Sequence, residues 1–579
     1  MAKKSEKAAS DKAEPKEENG KINILSAEVL AKEFKEHSVA EFFKKNMQML
    51  GLYGKIRMLT TIVHEYVTNS LDACEEAGIL PEIEVKIDEL GPEYYLVTVK
   101  DNGPGLTKET VGKALGQLLA GTKFHRIIQM RGQQGIGASG CTMLSQMTTG
   151  KAIKIISGTG KGKTFACELA IDPKKNEPKI YNFKEVDRPF RGLMVQARFK
   201  GVLYKESSTG PLEYLRRTAI ANPHAKIIFR SPKGEKVVFN RSTTYLPKIP
   251  KPMKPHPAGA TVDDIVTMSQ TTKAQKVSSF LKSEFDRMGD TAIENLQKLV
   301  NFDLNKDPKK LTWQEAEAII NAFKQIKFIA PSTEGLIPIG EERIKKSLET
   351  IVQPEHVSTL TRPPKVYAGG YPFQVEVGIA YGGKAGVVTQ ETEETQKNKE
   401  PNAVDEQNQG AKVEIMRFAN RAPLLFDAGS CAITKTVHDI DWKRYGVKDL
   451  ENVPLTIFVN FISVHVPYTG AGKQAVADED EIVEELRLAI MMCARKTSRY
   501  ISAKRALIER KMKRDIFYRY IPEIADALSK ITKKQKEHLV SKLEWLVANK
   551  LKIDEKEEAK AAKKLETEEG EEDEESEEI

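Results

Sequence analysis

The stretch His64–Ala73, HEYVTNSLDA, constrains this chain more than any other. It sets Glu65, Asn69 and Asp72 at i, i+4 and i+7, which on an α-helix share one face. Leu59, Ile62, Val63, Tyr66, Val67 and Leu71 spread over the opposite side, and Gly78 and Pro81 stop the run. The residues therefore specify a helix that packs by one face and offers polar groups from the other. By itself such a stripe is satisfied by solvent. The segments after it in the chain decide whether it is a site.

Strand patterns come next, at 82–88 (EIEVKID) and 94–101 (YYLVTVKD), the second running into Asn102-Gly103-Pro104-Gly105. A strand that ends on Asp101 and breaks into Gly-Pro-Gly puts that carboxylate at a sheet edge, beside a turn that glycine accommodates most easily. Residues 121–140, GTKFHRIIQMRGQQGIGASG, gather Gly132, Gly135, Gly137 and Gly140 ahead of a helical pattern. Glycines let backbone N–H groups converge, and a helix start adds unpaired N–H groups and a positive dipole end, which together suit phosphate. Alone, the segment reads equally as a mobile loop. Two other glycine-lysine segments are not P-loops. Ser157 stands where the template before Lys163 needs glycine, and the strand pattern behind it makes GTGKGK a hairpin turn; Pro467 and Gln474 break the template around Lys473.

The 579 residues are too many for one core and divide by pattern. The expected boundaries are a disordered tail at 1–25, an α/β domain at 26–250, a helical domain at 251–328 opened by the proline-rich LPKIPKPMKPHPAG, a second α/β domain at 329–505, a helical arm at 506–552 and an acidic disordered tail at 553–579. Four short helices are expected in the helical domain, and one long helix from about 479 to 515. Residues 384–409 are polar and aperiodic, as in an insertion. The N-terminus has no apolar core of the kind a secretory signal needs, and no apolar run approaches membrane-spanning length.

Five scattered cysteines without a CxxC fit small core residues in a reducing compartment better than a disulfide framework or a zinc site. Residues 566–579 hold ten acidic and no basic residues and residues 1–20 sum to zero, so the formal +8 becomes +18 over residues 21–565. That excess favours polyanions and fits plain solubility as well.

Glu65, Asn69, Asp101-x-Gly103-x-Gly105 and the Gly132–Gly140 loop together, in this order and spacing, resemble the GHKL ATPase superfamily of gyrase B, chaperones, mismatch-repair proteins and histidine kinases. GTKF at 121–124, GQQGIGASG, HPAGATVDDI, WKRY at 442–445 and TGAGKQ at 469–474 narrow the resemblance to the family of archaeal topoisomerase VI B subunits, over roughly residues 26–530. It implies an α+β multidomain fold: a GHKL (Bergerat) α/β-sandwich ATPase domain, a small helix-two-turns-helix domain, and a ribosomal-protein-S5-like α/β transducer domain with a long C-terminal helix.

The resemblance also implies roles. Glu65 would be the general base for the attacking water and Asn69 the Mg²⁺ ligand, with Asp72 only supporting. Asp101 would accept from the adenine amino group, beside Gly103 and Gly105. Thr122 and Lys123, with Gly132, Gln133, Gln134, Gly135, Ile136, Gly137 and Ala138, would line the ATP phosphates, and Lys473 would be a switch lysine reaching the γ-phosphate from the transducer. Trp442, Lys443, Arg444 and Tyr445 would form a DNA-contacting loop. Many relatives carry a threonine after the glycine of a late strand to support the adenine-binding aspartate; here Leu193 follows Gly192, so that support must come from elsewhere.

The implied cofactors are ATP and Mg²⁺. The implied partners are double-stranded DNA, a second copy of this chain joined on ATP binding, and a cleaving A subunit in a heterotetramer of two A and two B chains; the location is the cytoplasm at the nucleoid, with no membrane. A chaperone-like or mismatch-repair clamp on the same ATP fold is one rival, and a nucleotide-sensing scaffold without turnover is another. A histidine kinase is disfavoured because His64 adjoins Glu65 on the nucleotide helix.

Overall fold

The computed structural model describes residues 51–550 apart from 122–126, 133–134, 161–163, 188, 389–410 and 471, and also residues 41 and 45–47. The expected sites Thr122, Lys123, Gln133 and Gln134, the core of the expected insertion and both chain ends lie outside the described residues.

The first unit is a sheet with helices on one face. The sheet has eight strands: β1 (Glu82–Gly91), β2 (Tyr94–Lys100), β3 (Ile153–Thr159), β4 (Thr164–Asp172), β5 (Glu177–Val186), β6 (Arg191–Lys200), β7 (Lys226–Arg230) and β8 (Lys236–Phe239). Their order is β5-β4-β3-β6-β2-β1-β7-β8, with β1 and β7 parallel and the other neighbours antiparallel. Ile83, Val85 and Ile87 alternate with more exposed residues along β1, as Tyr95, Val97 and Val99 do along β2, so the sheet buries one face. The helices α1 (Lys55–Glu76), α2 (Lys108–Gly116), α3 (Gly137–Thr149) and α4 (Pro211–Ala221) complete this unit, and its core joins residues of α1, α3 and α4 to those of the strands. Leu59, Ile62, Val63 and Val67 of α1 are fully buried, at about 1.5–3 kcal/mol each. β2 is interior to the sheet, so Asp101 lies at the end of a central strand rather than at the sheet's edge.

Four helices form the second unit, at the expected places: α5 (Val262–Thr271), α6 (Val277–Glu284), α7 (Asp290–Leu299) and α8 (Trp313–Phe323). Capping boxes Thr261/Asp264 and Thr312/Glu315 start α5 and α8. Phe280, Phe285 and Phe323 meet edge to face in its core.

In the third unit α9 (Glu341–Ile351) precedes a mixed sheet of β9 (His356–Thr361), β10 (Lys365–Tyr367), β11 (Tyr371–Tyr381), β14 (Glu414–Ala419), β15 (Ala422–Pro423) and β16 (Leu455–Ser463). The short pair β12 (Val387–Val388) and β13 (Ala411–Lys412) stands apart. All nine residues of β16 are buried, because the sheet is covered on both sides. Residues of α10 (Ala432–Asp439) and the start of α11 (Asp480–Thr532) belong to one core with it, while α9 shares the other with Ile220 and Ala221 of α4. Ser347 on α9 donates to the Ile220 carbonyl at 2.9 Å, so the first and third units meet through a continuous apolar contact with a polar tie.

The sequence pattern suggests that the long helix stops near residue 515, but α11 runs 53 residues, through Pro522 to Thr532. Proline removes one backbone donor, and burial of Ile521 and Ala525 on either side of it offsets that loss. A further helix spans 536–550.

Candidate nucleotide site

A cavity of about 600 Å³ opens between α1, the turn after β2, the start of α3 and the loop at 472–474. Glu65 and Asn69 line it from α1, Asp101 and Gly105 from the strand end, Gly132, Gly135, Ile136, Gly137 and Ala138 from the glycine loop, and Lys473 from the third unit. Val99, Leu106, Leu115 and Val195 supply an apolar wall beside Asp101. A pocket with an apolar wall and a few convergent polar groups suits a ring with a charged tail.

Asp101 is buried and held on three sides. Its Oδ1 accepts from the backbone N–H of Gly103 at 2.9 Å and of Leu193 at 3.0 Å, and its Oδ2 accepts from the Ser70 hydroxyl at 2.8 Å. Burial raises its pKa and these donors oppose the rise. The support that a threonine would give therefore comes here from Ser70 and from the Leu193 backbone. The signal in the sequence was Ser70 itself, one residue past Asn69. Gly192 is required beside it: at φ +129° its added β-carbon would fall 2.0 Å from the Asp101 carbonyl oxygen.

Glu65 lies against the first residue of α3. A β-carbon on Gly137 would sit 1.7 Å from Glu65 Oε2, so only glycine leaves room for this carboxylate at the helix start. The exposed Asn69 lies beside the same loop, its Oδ1 3.9 Å from where a Gly132 β-carbon would be.

Lys473 reaches the site from a turn in which its own N–H donates to the Gly470 carbonyl at 3.1 Å. Burial lowers its pKa, and Glu65 and then Asp72 oppose the fall. The neighbouring Gln474 is tied down, its side chain accepting from the Phe426 N–H and its carbonyl from Arg417. His64, given no role in the site by the sequence, also lines the cavity; burial lowers its pKa, with Glu65 opposing and Lys473 adding to the effect.

Asp72 turns away from the cavity. Arg131 Nη1 donates to its Oδ1 at 2.6 Å, and Arg131 also grips Glu75. The polar face of α1 is thus split, with Glu65 and Asn69 facing the cavity and Asp72 and Glu75 serving a buried ion cluster.

The 442–445 stretch lies outside this cavity and is itself divided. Trp442 and Tyr445 are core residues, the indole donating to the Val437 carbonyl at 2.8 Å, while Lys443 and Arg444 are exposed. Among the described residues no cluster of three or more His, Cys, Asp or Glu could hold a metal ion, and no helix is long and apolar enough to cross a membrane.

Two family models match the chain: "Histidine kinase-, DNA gyrase B-, and HSP90-like ATPase" at residues 54–173 and "Topoisomerase VI B subunit, transducer" at residues 331–513. The B subunits of archaeal type 2 DNA topoisomerase 6 are similar along most of their length. The one from Methanothermobacter thermautotrophicus is 49% identical, covering 85% of this chain and 91% of that one. Those from Pyrococcus horikoshii and Pyrococcus abyssi are each 46% identical, covering 92% and 93% of this chain and 98% and 99% of theirs. With the GHKL-type cavity in its first unit and the transducer in its third, the chain belongs to the type IIB DNA topoisomerases, in the family of topoisomerase VI B subunits.

Proposed function

We propose that this cavity binds ATP with Mg²⁺ and hydrolyses it, and that the cycle closes two copies of the chain into a gate that captures duplex DNA while a separate A subunit cuts and rejoins a second duplex. The observation that carries the reading is the meeting of Glu65, Asn69, Asp101 and Lys473 in one cavity, from segments up to about 400 residues apart. The names of the relatives support the DNA and A-subunit parts.

A carboxylate has about four acceptor positions, and three on Asp101 are filled by Gly103, Leu193 and Ser70, leaving one for an exocyclic amine such as that of adenine. The N–H groups at the start of α3 receive phosphate oxygens. Glu65 takes the proton of the attacking water. Asn69 offers one neutral oxygen, which fits Mg²⁺, a cation that keeps most of its shell as water and phosphate. The ion supplies neutralisation of the phosphate charge. Lys473 reads the terminal phosphate from the transducer, so its loss on product release frees the third unit to move. Lys443 and Arg444 are the exposed side chains of their stretch, Arg444 in a solvent-facing pair with Asp441 at 3.2 Å, and they are the ones that meet DNA phosphates.

The test is relaxation of supercoiled DNA by the full chain combined with the A subunit of the same organism. ATP-dependent relaxation is expected. Nucleotide hydrolysis indifferent to duplex DNA, with no relaxation beside a competent A subunit, would favour a chaperone-like clamp instead.

A further inference from the structure

Besides the Lys473 loop and the contact of α4 with α9, the third unit meets the nucleotide half of the molecule through a tight hairpin turn. Strands β14 and β15 are joined by a two-residue turn, Asn420-Arg421, in which both residues have positive φ, +49° and +67°. This is the geometry that favours Asn followed by Gly. Arginine at the second position is conformationally costly, and such an outlier points to a function. The tip inserts both side chains into the first unit. Arg421 Nη2 donates to Glu75 Oε2 at 2.9 Å, and Asn420 Nδ2 donates to the Met130 carbonyl at 3.0 Å.

Glu75 is shared. Arg131 donates to both of its oxygens, at 2.7 and 3.2 Å, and His224 Nε2 lies 2.9 Å from Oε1. Arg131 closes a strap that leads straight into Gly132. The strap is anchored along its length: Ile127 pairs with Met253, the Gln129 N–H donates to the Gly335 carbonyl at 3.1 Å, and the Gln129 side chain accepts from the Ile337 N–H. On the far side the Arg421 N–H donates to Asn460 Oδ1, and Asn460 donates to Glu376, both in the central strands of the third sheet.

The cluster has donors to spare. Gln129 Nε2, Arg131 Nε and Arg421 Nε are buried without an acceptor among the described residues, and a cavity of about 140 Å³ is lined by the same three side chains with Asp72 and Glu75. Buried donors left unpaired are costly, and space beside them lets the cluster adopt a second arrangement.

We propose that Arg421 is a positioning residue for the nucleotide site: by sharing Glu75 with Arg131, the Asn420-Arg421 tip couples the 127–132 strap, and so the phosphate loop, to the third sheet by a route separate from Lys473. The proposal rests on the reading of the cavity as an ATP site. Movement of the phosphate loop onto a nucleotide pulls Arg131, changes what remains for Glu75 to accept, and so moves Arg421 with its hairpin. By reciprocity, fixing the hairpin changes nucleotide affinity.

The experiment is a distance measurement on the full chain, with fluorophores on Lys233→Cys and Lys448→Cys, both exposed; the five native cysteines are all buried. The probe ligand is a non-hydrolysable ATP analogue with Mg²⁺. In the otherwise native chain the analogue shifts the distance. In Arg421→Gly, which removes the guanidinium and relieves the strained turn, the analogue still binds, but the shifted population at saturation falls about fivefold or more. Arg421→Lys restores part of it. A merely structural role would lower the melting temperature and leave the shift intact, which would overturn the proposal. Should Arg421→Gly fail to fold, Glu75→Gln, of nearly unchanged size, gives the same reading. If the native chain binds the analogue without any shift, both routes of coupling fail; if it does not bind, the ATP reading itself fails.

Discussion

Glu65 and Gly137 are 72 positions apart, yet a β-carbon on Gly137 would overlap the Glu65 carboxylate at 1.7 Å. The Glu65 carboxylate and the glycine loop therefore fix each other's place. Gly137→Ala should displace the carboxylate, and misplacement by about 1 Å can cost on the order of 100-fold in rate. The check is steady-state ATP hydrolysis beside nucleotide affinity: kcat falls by about that factor while the melting temperature changes little.

If Asp101 recognises the base and Ser70 supports it, as proposed, their substitutions differ in cost. Asp101→Asn replaces an acceptor-only group by one that must turn a donor toward N–H groups, and at about 1.5–3 kcal/mol for a charge-assisted bond it weakens ATP binding by at least about tenfold. Ser70→Ala removes one neutral donor and costs about 1 kcal/mol, roughly fivefold. Calorimetric titration of both variants with the ATP analogue orders them, and equal loss would contradict the assignment.

The division within residues 442–445 predicts two unlike phenotypes. Trp442→Ala empties a core position and destabilises the third unit by about 3–5 kcal/mol. The pair Lys443→Ala and Arg444→Ala, both exposed, leaves stability within about 0.5 kcal/mol and weakens duplex DNA binding with a shallower salt dependence. Thermal melts and DNA titrations over a salt series distinguish the two.

Two histidines set an acid limit. Burial depresses the pKa of both His64 and His224 below the usual 6.5. The unfolded chain takes up protons there that the folded chain refuses, so the stability these residues contribute is full above pH 6.5 and is lost as pH falls through their depressed folded values. The slope is at most about 1.4 kcal/mol per pH unit for each. Melting temperatures between pH 7.5 and 5 should fall, and His224→Gln should flatten the fall.

The helix at 55–76 and its Glu65–Asn69 face were legible because a 3.6-residue period needs only local sequence, and Asp101 because a strand that breaks into glycine announces itself. The helices of the second unit were legible by the same period. The ion cluster was not: Asp72 read as a third group on the helix face, and its partner Arg131 and the sharing of Glu75 with Arg421, 346 positions away, depend on how sheets meet rather than on spacing. The resemblance puts all of residues 442–445 in a DNA-contacting loop, and the burial of Trp442 and Tyr445 leaves no mark in four residues of sequence. Continuity of α11 through Pro522 was hidden for the same reason, since proline's local effect is readable and the burial that offsets it is not.

The most direct test of the central claim is hydrolysis by Glu65→Ala compared with nucleotide-dependent dimerisation of the same protein. Loss of a general base removes about 100-fold or more of the rate. ATP turnover should fall by at least that much, while the ATP analogue still binds and still joins two copies, since Asn69, Asp101 and Lys473 remain. Turnover within a few-fold of the native chain would contradict the account.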